Sequence, residues 1–483
     1  MSRHWRVRLT AAVVGPLLAA TPLTTAHADE SGRDLTIELR DAFLARQVLD
    51  PRLRQDDHRA GLLARPTDPR DPDGTPWDPA APRASSCTPQ LCVHYVTTTA
   101  DAPPMESSDG VTPDWVRRTL EVGQHALDTM VVLGYPAPAS DRGAGGTAQF
   151  DVYLAEIGSQ GLYGYCAPED SVPGHKHQAS AYCVFDDDFA GFPMGPDPSL
   201  RVTAAHELFH AVQFGIDATE DPWFLEATAT WMEDQIADDV DDNRQFLKSG
   251  QLGRRGIPLD RWAGDLAPYG NWIFFQHVAE AFGADAVRRV WELAADPDRF
   301  SVQAVRKLVQ RENGRFPDFY AGFAVANLLP ARSYDEGAAY ARQRADTTVR
   351  LGPRRTTWRD QRIVVPHLAS QVVKVAARRS VRGKAGVRLA IDGGARRTGH
   401  AVRLVVHRTD GQVGRRTVRL DRQGRGRVRV DLSRRHVKRV LVVLASGSTR
   451  YDCQKKTDQF ACQGTPLDDD VTFDVTATLV RNR

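Results

Sequence analysis

The chain has little sulfur and no long apolar run: 6 cysteines and 5 methionines in 483 residues. Its most apolar stretch, Leu9 to Ala20, falls short of the ~20 residues that span a bilayer, which argues against a membrane span. That stretch follows Arg3, Arg6 and Arg8 and precedes Ala26-His27-Ala28, the pattern of a secretory signal over residues 1–28. The mature protein is therefore expected to be secreted and extracellular. Net charge is also nearly absent, at +2. Nor are the basic residues interleaved with aromatics, so an exported chain of this kind offers nucleic acid no obvious platform. The cysteines lack the tight spacing of a zinc knuckle and fall into local couples, Cys87/Cys92, Cys166/Cys183 and Cys453/Cys462. In an oxidising compartment these are expected as three disulfides.

The chain divides by texture. Residues 29–65 are charged, with a partial helical stripe in Leu35, Leu39, Phe43 and Leu44, and Arg65 to Pro82 is a Pro- and Asp-rich linker, expected to be extended. Together, residues 29–85 read as an N-terminal arm lying on the domain that follows; the sharper alternative is a propeptide removed on activation. Residues 86–340 have a globular pattern. A strand begins at Cys92, a helix spans Thr112 to Leu133 with Val131–Leu133 turned to the core, and further strands cover Ala148–Leu154 and Ala179–Phe185. An edge strand in this region could pair with an extended substrate. Asp186, Asp187 and Asp188 could hold calcium through carboxylate oxygens, although such a run is more often a solvated turn. His175 and His177 read as loop residues, and His277 as a packed side chain. Beyond about residue 235 the spacing is helical, with Gly283, Pro297, Gly314 and Pro330 as punctuation.

From residue 341 to 483 short alternating runs separated by turns such as Asp392-Gly393 and Asp410-Gly411 predict an antiparallel β-sandwich. Residues 351–440 hold 25 Lys+Arg against 5 Asp+Glu, which leaves the remainder of the chain at −18. Arg425, Arg427 and Arg429 would line one strand face and could bind an anionic cell-surface polymer. A solvated face, or attraction between the two halves, explains the same pattern.

The chemistry is concentrated in Ala204-Ala205-His206-Glu207-Leu208-Phe209-His210. On a helix, residues four apart stand one above the other, so His206 and His210 aim their imidazoles at one point. Glu207 reaches a water held there. This H-E-x-x-H pattern supplies two zinc ligands and a general base. Ser199 is expected to cap the helix and Gly215 to stop it. A second helix starts at Asp221-Pro222 and carries Glu226 early in its course. Fifteen residues separate His210 from Glu226, enough for a turn and a returning helix that places Glu226 beside the histidines as a third ligand. Two His, one Glu and an open fourth position make a catalytic zinc site. Glu233, two turns beyond Glu226, and Thr230 are candidates to orient the ligands. Tyr269 is a candidate oxyanion donor.

The His pair with Leu225-Glu226, Ala229, Trp231 and Glu233 resembles the gluzincin metallopeptidases. The layout is similar to secreted bacterial metalloproteases with a C-terminal β-domain. The resemblance implies an α+β zincin-like catalytic domain, one catalytic Zn2+, and a protein or peptide substrate. No G-x-M-E-N segment is present to anchor a free amino terminus, so an endopeptidase fits better than an aminopeptidase. Two other readings stay open: a zinc amidase acting on cell-wall peptide, and a non-catalytic surface-binding protein with a zinc-stabilised fold.

Overall fold

The computed structural model describes residues 35–47, 64–68, 76–296, 299–395, 398–457 and 459–481. The expected signal, 1–28, lies outside these residues. The described residues form a mixed helix-and-sheet half followed by a β-domain.

Helix α1 (Leu35–Gln47) turns Ile37, Leu39 and Phe43 into the main core. A five-stranded sheet follows, built from β1 (Arg83–Cys87), β2 (Leu91–Val96), β3 (Phe150–Ala155), β4 (Gly164–Ser171) and β5 (Ala179–Asp186) in the order β1-β2-β3-β5-β4. Helix α2 (Asp114–Val132) joins the parallel strands β2 and β3. Its last turn faces solvent, contrary to the sequence reading, with Val131 48% and Val132 85% exposed. Strand β4 pairs with β5 alone, antiparallel, and is the edge of the sheet. The disulfide Cys166–Cys183 staples the two together, and Cys87–Cys92 and Cys453–Cys462 are bonded as well.

The expected extended linker is instead packed where it is described. Arg65 is buried beneath the sheet among Asp141, Asp151 and Glu169, and the Trp77 indole donates to the Leu154 carbonyl at 3.0 Å. A guanidinium that can satisfy several carboxylates at once, and an indole with an apolar bed, hold the strap down.

Helices α3 (Pro196–Asp217) and α4 (Pro222–Ile236) form the next layer; α3 packs on β5, β4 and α2. Two of the expected end signals act differently. Ser199 lies within the first turn of α3, buried and without a capping bond, because the helix begins at Pro196. Gly215 lies inside the helix, where a Cβ would come within 3.1 Å of the Ala139 amide; it permits chain approach and does not end the helix. Among the described residues five further α-helices follow in this half: α5 (Ala267–Gly270), α6 (Trp272–Phe282), α7 (Ala286–Ala294), α8 (Ser301–Arg311) and α9 (Phe316–Leu328).

The β-domain stacks two sheets. Strands β6 (Thr347–Leu351), β8 (Ala369–Ala377), β10 (His400–Arg408), β11 (Val413–Thr417) and β13 (Val437–Ser446) make one. Strands β7 (Thr357–Val365), β9 (Ala385–Asp392), β12 (Arg425–Asp431) and β16 (Val471–Arg481) make the other, and β14 (Tyr451–Asp452) pairs with β15 (Thr465–Pro466) apart from both. Alternating residues such as Val373, Leu389, Val402, Val442 and Val475 fill the space between the two sheets. The domain is not wholly antiparallel: β6 runs parallel to β8, since it enters from the helical half and reaches the sheet edge directly.

The two halves are joined by buried contacts. Ala324, Val325 and Leu328 of α9 pack on Val405, Leu441 and Val443 of the five-stranded sheet. The Leu368 carbonyl accepts from the Leu259 amide and the Tyr320 hydroxyl. The Cys462 amide donates to Asp221 Oδ1 at 2.7 Å, at the start of α4. Asp221 is thus the first residue before α4, as read, but its carboxylate is used across the interface and not on its own helix.

Candidate metal centre

Helix α3 is buried along nearly its whole length, and His206, Glu207 and His210 are 9%, 8% and 0% exposed. The return through residues 218–221 brings α4 back alongside, and Glu226, 0% exposed, lies between the imidazoles. Glu226 Oε2 is 3.1 Å from His206 Nε2, and Glu226 Oε1 is 3.6 Å from His210 Nε2. Ligands about 2 Å from a tetrahedral ion stand about 3.3 Å apart, so these separations suit one small cation. His210 Nε2 and Glu226 Oε1 are buried and have no hydrogen-bond partner among the described residues. Leaving such atoms orphaned is costly unless an ion completes them.

The other ring nitrogens are tied down. His206 Nδ1 pairs with Glu233 Oε1 at 2.7 Å, and His210 Nδ1 with Gln213 Oε1 at 2.7 Å. The Gln213 amide in turn donates to the Leu225 carbonyl and the Thr228 hydroxyl. These bonds fix both rings with Nε2 inward, as metal-binding histidines require. Gln213 went unnoticed in the sequence; its position three residues beyond His210, on the same helical face, was the available signal. Thr230 does not orient a ligand side chain, since its hydroxyl donates to the Glu226 carbonyl along its own helix.

Electrostatics favour a positive charge here. Burial pulls the His206 imidazole down, but Glu226 and Glu233 outweigh it and hold its pKa up at about 10. Burial would raise Glu226, yet His210 and His206 draw it down to about 2. For Glu207 burial prevails over the two imidazoles and raises the carboxyl above its usual range.

A cavity of about 40 Å³ adjoins His206 and Glu207, bordered by Tyr163, Gly164, Thr203 and Tyr269. The Tyr269 ring lies nearly parallel to His206, with centroids 6.0 Å apart. Gly270 positions it: a Cβ there would strike the Phe246 carbonyl at 2.2 Å, so only glycine lets α5 press so close. His277 lies elsewhere, among Phe319, Phe323 and Tyr334, and His177 bonds Thr219 in a loop.

Three other groups of side chains converge among the described residues, one of them the partly exposed Asp234, Asp238 and Glu336. Cys92, His94 and Asp151 offer atoms within 4.8 Å of one another, but the Cys92 sulfur is in a disulfide and Arg65 already holds Asp151. Glu156, Asp186 and Asp187 also converge within 4.8 Å, and Asp187 Oδ1 is buried without a partner. The acidic group therefore recruits Glu156 in place of Asp188, whose carboxylate accepts from the Ala190 amide in its own turn. Among the described residues no helix is long and apolar enough to cross a membrane.

No protein-family description matches the chain, and no curated protein does. Among solved structures it has similarity to the pre-peptidase C-terminal domain of a collagenase from Bacillus anthracis. The match has 8% identity over 29% of this chain and 100% of that one, with a TM-score of 0.17. A 4-O-methyl-α-glucuronidase specific for decorated arabinogalactans matches at 10% identity over 56% of this chain and 42% of that one, with a TM-score of 0.16. Likeness at this level carries no argument about fold or function.

Proposed function

We propose that the protein is an exported zinc-dependent endopeptidase with a zincin-like catalytic half. One observation carries the reading: two buried ligand atoms, His210 Nε2 and Glu226 Oε1, lack hydrogen-bond partners beside a carboxylate, Glu207, that borders a cavity. His206, His210 and Glu226 would hold the zinc, which when bound supplies Lewis-acid polarisation of the scissile carbonyl and of the attacking water. Glu207 takes the proton from that water at its carboxylate and passes it to the departing amine. Tyr269, at the cavity wall, is the proposed donor to the carbonyl oxygen as negative charge grows there. The exposed Arg425, Arg427 and Arg429 of β12 support an external anionic polymer as partner of the β-domain.

The test is a paired substitution. Glu207→Gln should keep zinc, measured by elemental analysis, and lose about 10²–10⁴-fold in hydrolysis of a denatured protein substrate. Glu226→Gln should lose zinc and activity together. Near-normal turnover in metal-loaded Glu207→Gln would sink the mechanism, and equal zinc retention in both variants would move the ligand role to another carboxylate.

A further inference from the structure

The edge strand beside this site is not open. Helix α1 packs along β4, and one hydroxyl links the strand to the site: Thr36 Oγ1 accepts from the Cys166 amide at 3.0 Å and donates to Glu207 Oε2 at 3.1 Å. That amide belongs to the edge of the sheet, where an incoming strand would find its backbone partner. The carboxylate is the one assigned above to receive a proton. Ile37, Leu39 and Phe43 are 1%, 4% and 3% exposed, so the helix is seated by its apolar face. Arg40 Nη1 donates to the Glu220 carbonyl at 2.5 Å, anchoring the helix to the bend between α3 and α4.

We infer that the groove between β4 and α3 is a peptide-binding groove, and that Leu35–Gln47 is its resident occupant, so that the chain as encoded is latent. The groove takes a segment with apolar side chains spaced to fill the pockets of Ile37, Leu39 and Phe43, and with an acceptor for the Cys166 amide. This rests on the endopeptidase reading for its consequence, but the occupancy of the groove stands on its own contacts. Loss of α1 would release Glu207 Oε2 and the Cys166 amide together, because the Thr36 hydroxyl bonds both.

The experiment uses the full chain carrying Ile37→Asp and Phe43→Asp, with amide hydrogen exchange and hydrolysis of a denatured protein as separate readouts. Exchange should quicken by at least about tenfold in 35–47 and in β4 while β2, β3 and β5 stay protected. A synthetic peptide of residues 35–47 should restore protection to β4 and suppress the hydrolysis that the variant gains. Adding Glu207→Gln should abolish the gained hydrolysis and leave the exchange pattern unchanged. Thr36→Val, which removes one oxygen and keeps the volume, should give a smaller rise in both readouts. Deprotection that spreads through the whole sheet would overturn the inference, because α1 would then be an integral wall. Unchanged exchange in both variants would overturn it too. Selective deprotection reversed by the peptide but without hydrolysis would uphold the groove and its occupant while sinking the endopeptidase reading.

Discussion

Two buried histidine–carboxylate clusters stand on the same half of the molecule and are finished in opposite ways. Around Asp151, His94 Nε2 approaches to 2.7 Å, and Arg65 directs its N–H groups to Asp141, Asp151, Glu169 and the Tyr153 hydroxyl. A cation from the chain itself closes that cluster. Around Glu226 no lysine or arginine is hydrogen-bonded to the ligand atoms among the described residues, and two inward-facing atoms, 3.6 Å apart, have no hydrogen-bond partner. Burial alone does not distinguish structure from function here. What differs is who supplies the positive charge.

Breaking the closed cluster should have the largest effect on stability. Arg65→Met leaves carboxylates buried without their cation and should cost about 3–5 kcal/mol in urea unfolding. Chelator should destabilise wild type and this variant equally, since the two clusters are separate; an increment that changes with chelator would couple them. The open cluster is sharpened by Gln213→Ala, which frees the His210 ring. Metal affinity, measured by competition with a coloured chelator, should fall about 10–100-fold. Unchanged affinity would show that α3 packing alone orients His210.

The smallest effect concerns a third cluster, in which the sign of the pH dependence is diagnostic. Burial, then Asp186, Asp188 and Glu156, push the Asp187 carboxyl up to about 8. The folded state therefore binds this proton more tightly than the unfolded chain, where the pKa is about 4. Its stabilising contribution is complete below about pH 4 and is lost as pH rises through about 8. In chelator, Tm should fall across that window in wild type and fall less in Asp187→Asn. Calcium should restore Tm near pH 8 in wild type more than in the variant. Parallel pH profiles for the two proteins would remove Asp187 from the account.

Much of the open cluster was legible because its signals are local. The His206–His210 spacing follows from helical rise, and Glu226 from the length of the bend. What could not be read was long-range or lacked a propensity signal. Strand β4, with Gly164, Pro168 and Asp170, has a poor strand composition and exists because it pairs with the buried run of β5. The bond from Thr36 to Glu207 crosses 171 residues, and no periodicity records it. Arg65 looked like linker charge because its carboxylate partners are scattered over positions 141 to 169. Gly215 was misread for a related reason: the chain that presses on it, at Ala139, is distant in sequence.

The bond from the Cys462 amide to Asp221 spans 241 residues and fixes the beginning of the helix that carries Glu226. Synthesis from the amino terminus therefore delivers the paired histidines long before the Cys462 amide can reach Asp221. A nascent or prematurely ended chain possesses the motif but not the clamp. That contact at the start of α4 therefore waits on residue 462, long after the paired histidines have been made.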